Sequence, residues 1–388
     1  MFSGLLPLFV LAHFGHHLLT ALPVPLLPMI RTDFGLDYTQ SGLLISAFSL
    51  SYGFGQLPAG WLADRIGRRL LITIGNCGVA MAGLLIGLSP TYFILLLCLM
   101  LMGVMGGAYH PSAPPLISAS VKPENQGRAL GLHIVGGSAS YFLAPLIGVA
   151  IAVAWGWRGS FIVLAVPAVI FGIVFYVLLG RLTNGEVKKD KITITPTEAP
   201  SQPGRLRGLV VVMVLSTGIS AILVSAISFL PLFIVDQFGV SERIAAAFLA
   251  VIYSAGRWSA PVGGYLSDRL GKIPVLLTVC FAAGPIICLL NLLPYGLGTV
   301  ALLVVLGTCL SMRMPVTEAY IVSHTSDLNR STIFGVYYFS AMEGGGVLTP
   351  VMGYLIDHLG FTSSFTMAGG AIIGITLVCS LLLWGGRK

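Results

Sequence analysis

The sequence predicts an all-α membrane protein with twelve transmembrane helices in two six-helix, pseudo-symmetric bundles, and three observations carry that expectation. Of 388 residues, 56% are apolar and only 9% are charged, at a mean hydropathy of +0.93; a soluble globular chain carries about 25% charged residues. Twelve stretches are apolar over the roughly 20 residues that a bilayer crossing requires. The second half of the chain also repeats the first at a fixed spacing.

In chain order the stretches are 4–30, 40–63, 70–89, 92–119, 128–153, 158–180, 208–235, 243–266, 274–293, 297–322, 331–356 and 363–384. Each must be helical, because lipid offers an open backbone no hydrogen-bond partner and segments of this length are too long for barrel strands. The 48 glycines and 22 prolines are usual in membrane helices, where neighbouring segments accommodate a broken ladder. The first stretch carries His13, His16 and His17 and has no basic region before it, so it reads as span one and not as a signal peptide. All six cysteines (Cys77, Cys98, Cys280, Cys288, Cys309 and Cys379) fall inside spans and read as small packing residues, not as disulfides or a metal cluster. The charged, proline-containing segment 181–207, RLTNGEVKKDKITITPTEAPSQPGRLR, reads as a cytoplasmic linker between an N-terminal bundle, 1–180, and a C-terminal bundle, 208–388.

The formal net charge of +7 gets its meaning from where the charges lie. Loops after even-numbered spans and the C-terminus hold Arg65, Arg68, Arg69, Lys122, Arg128, Arg181, Lys188, Lys189, Lys191, Arg205, Arg207, Arg269, Lys272, Arg330, Arg387 and Lys388, against Arg31, Arg158 and Arg243 on the other side. That asymmetry predicts a multi-pass protein of the cell (inner) membrane with both termini cytoplasmic, and it points to the bilayer and not to nucleic acid as the partner.

A shift of 204 positions aligns Phe34-Gly35 with Phe238-Gly239, Gly60 with Gly264, Asp64-Arg65 with Asp268-Arg269 and Gly67 with Gly271. The same shift aligns Pro111 with Pro315, Gly131 with Gly335, Gly156 with Gly360 and Ser160-Phe161 with Ser364-Phe365. One constant shift that preserves Pro, Asp-Arg and Phe-Gly pairs across six spans indicates a duplicated six-helix unit.

Between spans two and three lies Gly60-Trp61-Leu62-Ala63-Asp64-Arg65-Ile66-Gly67-Arg68-Arg69, with a weaker copy at Gly264-Tyr265-Leu266-Ser267-Asp268-Arg269-Leu270-Gly271-Lys272. Physically, Gly60 suits close helix packing, Asp64 suits capping or pairing with a helix end, Gly67 suits a tight turn, and the arginines suit the anionic inner leaflet. The decapeptide resembles the cytoplasmic loop signature of the major facilitator superfamily, and the resemblance covers the whole chain. It implies that fold, secondary transport by alternating access, and a substrate site between the halves near the midplane. It also implies a conformational latch built from Gly60, Asp64, Arg65, Gly67, Arg68, Gly264, Asp268 and Arg269; the alternative is that these residues only anchor loops to headgroups. Gly106-Gly107-Ala108-Tyr109-His110-Pro111 is similar to the aromatic-His-Pro element of the fosmidomycin-resistance branch of drug exporters, which implies efflux. The chain departs from drug/proton antiporters in three places: span one has no carboxylate, Met102 stands near the expected span-four arginine, and Ala144 replaces a glycine before Pro145.

Ionisable side chains at bilayer depth are costly and therefore mark candidate sites. They are Arg257 in span eight, Arg313 and Glu318 in span ten, Glu343 in span eleven, and His13, His16, His17, His110 and His133 in spans one, four and five. Apart from Arg158 at its mouth, span six, like spans three, nine and twelve, has none. Arg257 and Arg313 offer planar forks for a carboxylate, phosphonate or sulfonate, so they are substrate-binding candidates with His110, His17, Tyr52, Gln56 and Tyr141. Glu343, Glu318, His13 and His133 are proton-coupling candidates. Two other readings stand beside these: a static Arg–Glu tie between helices, and histidines and tyrosines that only hydrogen-bond between helices.

No metal or cofactor is expected, since no carboxylate or cysteine accompanies the span-one histidines within the helix. Nor does the sequence carry a nucleophile–base pair, HExxH or P-loop of the kind a membrane enzyme would show. The expectation is a monomeric, proton-coupled carrier of a small organic anion or anionic drug; the alternatives are a proton-coupled organic-acid importer and a receptor that binds without transporting.

Overall fold

The computed structural model describes residues 5–121, 126–183, 205–325 and 327–384; most of the 181–207 segment lies outside them, as does the side chain of Asp64. Among the described residues every regular element is helical. Eight helical stretches are long and apolar enough to cross a membrane by length and composition. Two of these, Ala129–Arg181 and Ile333–Trp384, run 53 and 52 residues, more than twice the roughly 20 of one crossing.

The elements are α1 (Leu5–Thr20), α2 (Pro23–Phe34), α3 (Tyr38–Ile66), α4 (Arg68–Gly87), α5 (Tyr92–Gly106), α6 (Tyr109–Ala119) and α7 (Gln126–Thr183). There follow α8 (Arg205–Ser228), α9 (Leu230–Phe238), α10 (Glu242–Ser254), α11 (Gly256–Leu270), α12 (Lys272–Leu290), α13 (Leu297–His324) and α14 (Asp327–Trp384). The long helices α7 and α14 each turn a corner, at Trp155-Gly156 and at Gly360.

Four stretches that read as single spans are each built of two segments, and in three of them proline supplies the reason. Pro23 opens α2 in the first turn, where a missing N–H costs little, and the Leu22 N–H turns back to Leu19 O at 3.2 Å. Pro111 has no N–H for Gly107 O and its ring crowds that carbonyl, so the chain breaks between α5 and α6, at Gly107-Ala108. The break therefore falls one turn before Pro111. Pro231 does the same to Ile227 O, and α8 gives way to α9 at Phe229. The fourth break, Ala255 between α10 and α11, has no proline within reach of it.

The chain forms two compact units, Met1–Asp190 with Ile234–Ala250, and Lys191–Phe233 with Val251–Lys388. In the first, α1 packs along α7, α3 on α5, and α4 against both α5 and α7. Asp236 belongs to this unit through its Oδ2, which accepts from Arg31 Nη1 and Tyr38 Oη at 2.6 Å each. In the second unit α8 packs along α14, α11 on α13, and α12 against both α13 and α14. The main contacts follow one scheme, with α1, α3, α4, α5 and α7 corresponding to α8, α11, α12, α13 and α14.

The repeat extends to backbone torsions. The described glycines with positive φ are Gly35, Gly67 and Gly156, at 62°, 94° and 73°, and Gly239, Gly271 and Gly360, at 62°, 91° and 75°. Each member of the second set lies 204 positions after its partner, and only glycine adopts this region without steric cost. Close packing repeats as well. A Cβ on Gly103 of α5 would stand 2.4 Å from Phe48 O of α3, and one on Gly307 of α13 would stand 2.2 Å from Ile252 O of α10. Gly60, expected to permit close packing, and its counterpart Gly264 have room for a methyl group: the nearest atom to a Cβ at Gly60 is Pro111 Cβ at 3.8 Å, and Gly264 has nothing within 4 Å. Outward, Phe54, Leu57, Ile170, Val214 and Leu381 are more than half exposed, a pattern that fits a hydrocarbon solvent.

Candidate functional site

The first unit gathers five imidazoles from three helices. His13, His16 and His17 leave α1, His110 leaves α6 and His133 leaves the first half of α7. The α1 spacing of i, i+3 and i+4 puts His13 beside the other two. His13 stacks on His133 with centroids 4.1 Å apart, and its ring lies 4.8 Å from His17 and 5.4 Å from His110. His17 is 4.9 Å from His16 and 5.4 Å from His110. Tyr109 stacks on His16 at 4.8 Å, and Tyr141 lies against His17 at 4.9 Å. All but His110 among the histidines are buried.

Their hydrogen bonds fix several tautomers. His13 Nδ1 lies 2.9 Å from His133 O; a carbonyl only accepts, so Nδ1 carries the proton and Nε2 presents a lone pair. Thr20 Oγ1 donates to His16 O at 3.2 Å, so at 3.2 Å it accepts from His17 Nδ1 and leaves His17 Nε2 as the lone pair. His16 is held at both nitrogens, by Asn76 Oδ1 at 3.1 Å and Tyr52 Oη at 3.3 Å. Tyr109 Oη donates to Phe9 O and lies 3.0 Å from His133 Nε2, from which it accepts. Beneath the cluster, Phe9, Ile72, Tyr109, Phe175 and Leu179 form one buried apolar core.

Of the expected residues, His13, His17, His110, His133, Tyr52 and Tyr141 thus share one site, whereas Gln56 is half-buried on α3 with none of these contacts. Sequence reasoning passed over Asn76, Thr20 and Tyr109. Asn76 had a signal, since a primary amide inside an apolar span needs a partner. Gly137 also belongs here: a Cβ on it would stand 2.8 Å from His13 Nε2, so its bare backbone makes room for the ring.

In the second unit the charged candidates fall into different settings. Arg313 is 5% exposed, and its Nη1 donates to Ser216 O at 2.5 Å and Ser216 Oγ at 2.6 Å on α8. Thr317 Oγ1 joins the same hydroxyl at 3.0 Å, and Tyr337 Oη lies 3.1 Å from it. Arg313 therefore ties α13 to α8, with its Nε left without a partner. Glu343 Oε1 is likewise buried and unpartnered, so the static Arg–Glu tie weighed for Glu343 finds no support in its contacts. Glu318 Oε1 accepts from Tyr338 Oη at 2.7 Å, linking α13 to α14. Arg257 is exposed on α11.

In the duplicated loop, Gly67 and Gly271 make the turns. The Arg65 guanidinium lies 3.6 Å over the Trp61 ring, and that of Arg269, its counterpart, 4.7 Å over the Tyr265 ring. Asp268 is exposed and Arg68 half-buried. Arg69 donates to Tyr176 O from Nε and Nη2, at 3.0 and 2.7 Å.

The sequence profile of the Major Facilitator Superfamily matches residues 9–306 and again 258–388. The multidrug resistance protein MdtG of Proteus mirabilis is 28% identical over 374 residues, covering 93% of this chain and 90% of that protein. A hexuronate transporter of Bacillus subtilis is 23% identical over 375 residues, covering 90% and 87%. Among solved structures, a POT family transporter in complex with 5-aminolevulinic acid superposes with a TM-score of 0.82 at 15% identity, covering 99% of this chain and 96% of that one. A bacterial homologue of the lysosomal transporter Spinster, inward-facing and occupied, superposes at 0.78 and 16%, with the same coverage. These relatives are transporters, not enzymes, and the profile spans nearly the whole chain: this multi-pass membrane protein belongs to the Major Facilitator Superfamily.

Proposed function

We propose that the chain is a proton-coupled secondary transporter that exports a small organic anion or anionic drug by alternating access. In this reading it crosses the inner membrane twelve times as a monomer, with both termini and the 181–207 linker cytoplasmic, and rocks the bundles 1–180 and 208–388 about a midplane site. Asp64 and Asp268 with their loop neighbours act as the latch.

One observation carries the reading. The buried, unpartnered side-chain atoms among the described residues include His13 Nε2, Arg313 Nε and Glu343 Oε1, three ionisable groups in apolar helices. An unsatisfied polar group at depth costs about 1–3 kcal/mol, and more when charged. A carrier tolerates that cost because substrate, proton or water completes the site during part of its cycle. Arg257 and Arg313 then hold the anion, and His17, His110, Tyr52, Gln56 and Tyr141 line its path. Glu343 carries the coupled proton, with Glu318, His13 and His133 as relay groups. A hexuronate is a carboxylate, so the relative of that name supports an anionic substrate, and the more similar multidrug relative supports export. The hexuronate relative also supports a second reading, proton-coupled import of an organic acid.

Proteoliposomes with an imposed pH gradient separate the two readings. Antiport drives labelled glucuronate or a phosphonate antibiotic into vesicles that are acidic inside, and symport into vesicles that are alkaline inside. Glu343→Gln is expected to lose the gradient-driven component and keep counterflow. Rates that ignore the gradient in the wild-type protein would remove proton coupling.

A further inference from the structure

We propose that His13, His17 and His110 form a binding site for a divalent late first-row transition metal of the Zn²⁺, Ni²⁺ and Co²⁺ group. Each offers one ring nitrogen, and the three nitrogens lie within 4.8 Å of one another. Ligands at about 2.05 Å on a tetrahedral ion stand about 3.3 Å apart, so a closing of about 1.5 Å at most, within reach of side-chain rotation, completes the geometry.

Three features distinguish this trio from a chance meeting of histidines. First, its proton arrangement is that of metal ligands. His13 donates its Nδ1–H to a backbone carbonyl and His17 donates to a hydroxyl whose own proton is committed to His16 O. Outer partners of this kind turn the second nitrogen into a fixed lone pair and raise its basicity. Second, His13 Nε2 is buried and has no hydrogen-bond partner, an uncommon state for a buried acceptor. Third, the other two imidazoles of the cluster are occupied: His16 at both nitrogens, and His133 at Nε2 by Tyr109. What remains is a set of three imidazole nitrogens, two from α1 and one from α6.

The donor set selects the ion. Imidazole suits zinc, nickel, cobalt and copper, whereas calcium and magnesium require oxygen ligands; among the described residues no carboxylate joins the three nitrogens in this group. Helical spacing puts His13 beside both His16 and His17 on α1, and α6 supplies His110 as the third ligand. The site lies wholly within the first unit and shares its histidines with the proposed transport path, but metal binding at equilibrium requires no translocation, so its failure and that of the transport reading are distinguishable.

The test uses the full-length, tag-free protein in detergent, titrated with ZnCl₂ by calorimetry and with CoCl₂ by visible absorption. One ion per chain is expected, with the intense d–d bands of low-coordinate cobalt. His13→Ala, His17→Ala and His110→Ala should each weaken binding by 100-fold or more. Thr20→Val, which removes only the acceptor of the His17 proton, should weaken it about 10-fold, the usual effect of losing an outer-shell partner. His358→Ala, on the exposed face of α14, should leave it unchanged. A variant that fails to elute as a monodisperse peak is replaced by the matching asparagine substitution. No stoichiometric binding by the wild type, or unchanged affinity in any one of the three histidine variants, overturns the three-ligand site.

Discussion

The close approach of α5 to α3, and its counterpart in the second unit, makes a quantitative prediction. A Cβ at Gly307 would stand 2.2 Å from Ile252 O, 2.9 Å from its carbonyl carbon and 3.0 Å from its Cα; at Gly103 the nearest atom is Phe48 O at 2.4 Å. Non-bonded heavy atoms rest about 3.5 Å apart, so alanine leaves deficits of about 1.3 and 1.1 Å. The obstructing atoms are backbone, so no rotamer change relieves them and the helices must part. Overpacking of this size costs about 1–3 kcal/mol, and about 2–4 °C of melting temperature accompanies each kcal/mol in domains of 150–250 residues. Gly103→Ala and Gly307→Ala should therefore each lower the melting temperature by about 2–12 °C. Unfolding can be followed with a thiol-reactive dye, because Cys98, Cys280, Cys309 and Cys379 are buried and free. Gly131→Ala and Gly335→Ala are the paired controls. Both sites lie inside helices with nothing within 4 Å of a Cβ, and alanine is favoured over glycine there by up to about 1 kcal/mol, so these variants should melt at or above the wild type. If all four alanine variants melt together, helix contact through these glycines does not limit stability and the reasoning fails.

Other perturbations follow from particular contacts. Ser216→Ala removes one of the two acceptors of Arg313 Nη1 and the partner of Thr317 and Tyr337; a hydrogen bond to a charged group contributes about 1.5–3 kcal/mol, so the same dye should report a fall of several degrees, whereas Ser216→Thr, which keeps a hydroxyl, should fall less. Asp236→Asn acts on a pair whose partners are 27% and 26% exposed, so the loss should stay below about 1 kcal/mol and shrink further in molar salt; a large salt-independent loss would contradict that assignment. Gly137→Ala pushes the His13 ring from its seat, and Co²⁺ absorption of the variant should weaken more than its melting temperature falls. A cysteine placed at Ser201 in the linker should react with an impermeant maleimide in inside-out vesicles and not in intact cells, and the reverse labelling would invert the proposed topology.

The sequence made the repeat legible because its strongest positions are backbone constraints. Gly35, Gly67 and Gly156 must occupy left-handed torsions, no other residue does so cheaply, and a shift of 204 therefore finds their partners without any knowledge of packing. The histidines of α1 were legible for a similar reason, since helical spacing alone puts His13 beside His17. What surrounds them was not. Asn76 and Tyr109 come from other helices, and their meeting with α1 is decided by interhelical packing that no single-helix pattern encodes, whereas Thr20, three residues after His17 on α1, was within reach of helical spacing. Arg313 shows a different limit: its position in the sequence could not reveal that the carbonyl and hydroxyl of Ser216 accept from Nη1 while Nε stays without a partner. Proline marked three of the four helix breaks, but not always at its own position: Pro23 opens a helix, whereas Pro111 leaves Gly107 O without its N–H donor and so points to Gly107 and not to itself.

The paired left-handed corners bear on how the chain tolerates exchange. Gly156 and Gly360 have φ of 73° and 75° with ψ of 165° and 169°, and Gly67 and Gly271 have φ of 94° and 91° with ψ of 134° and 147°. At the glycine itself each reversal has the torsions of its counterpart, so exchange of 154–160 with 358–364 should keep that joint, Trp155 with its non-helical φ of −131° and ψ of 16° being the difference between them. Side chains at these joints are then open to drift or redesign, provided that the single residue lacking a Cβ keeps its register.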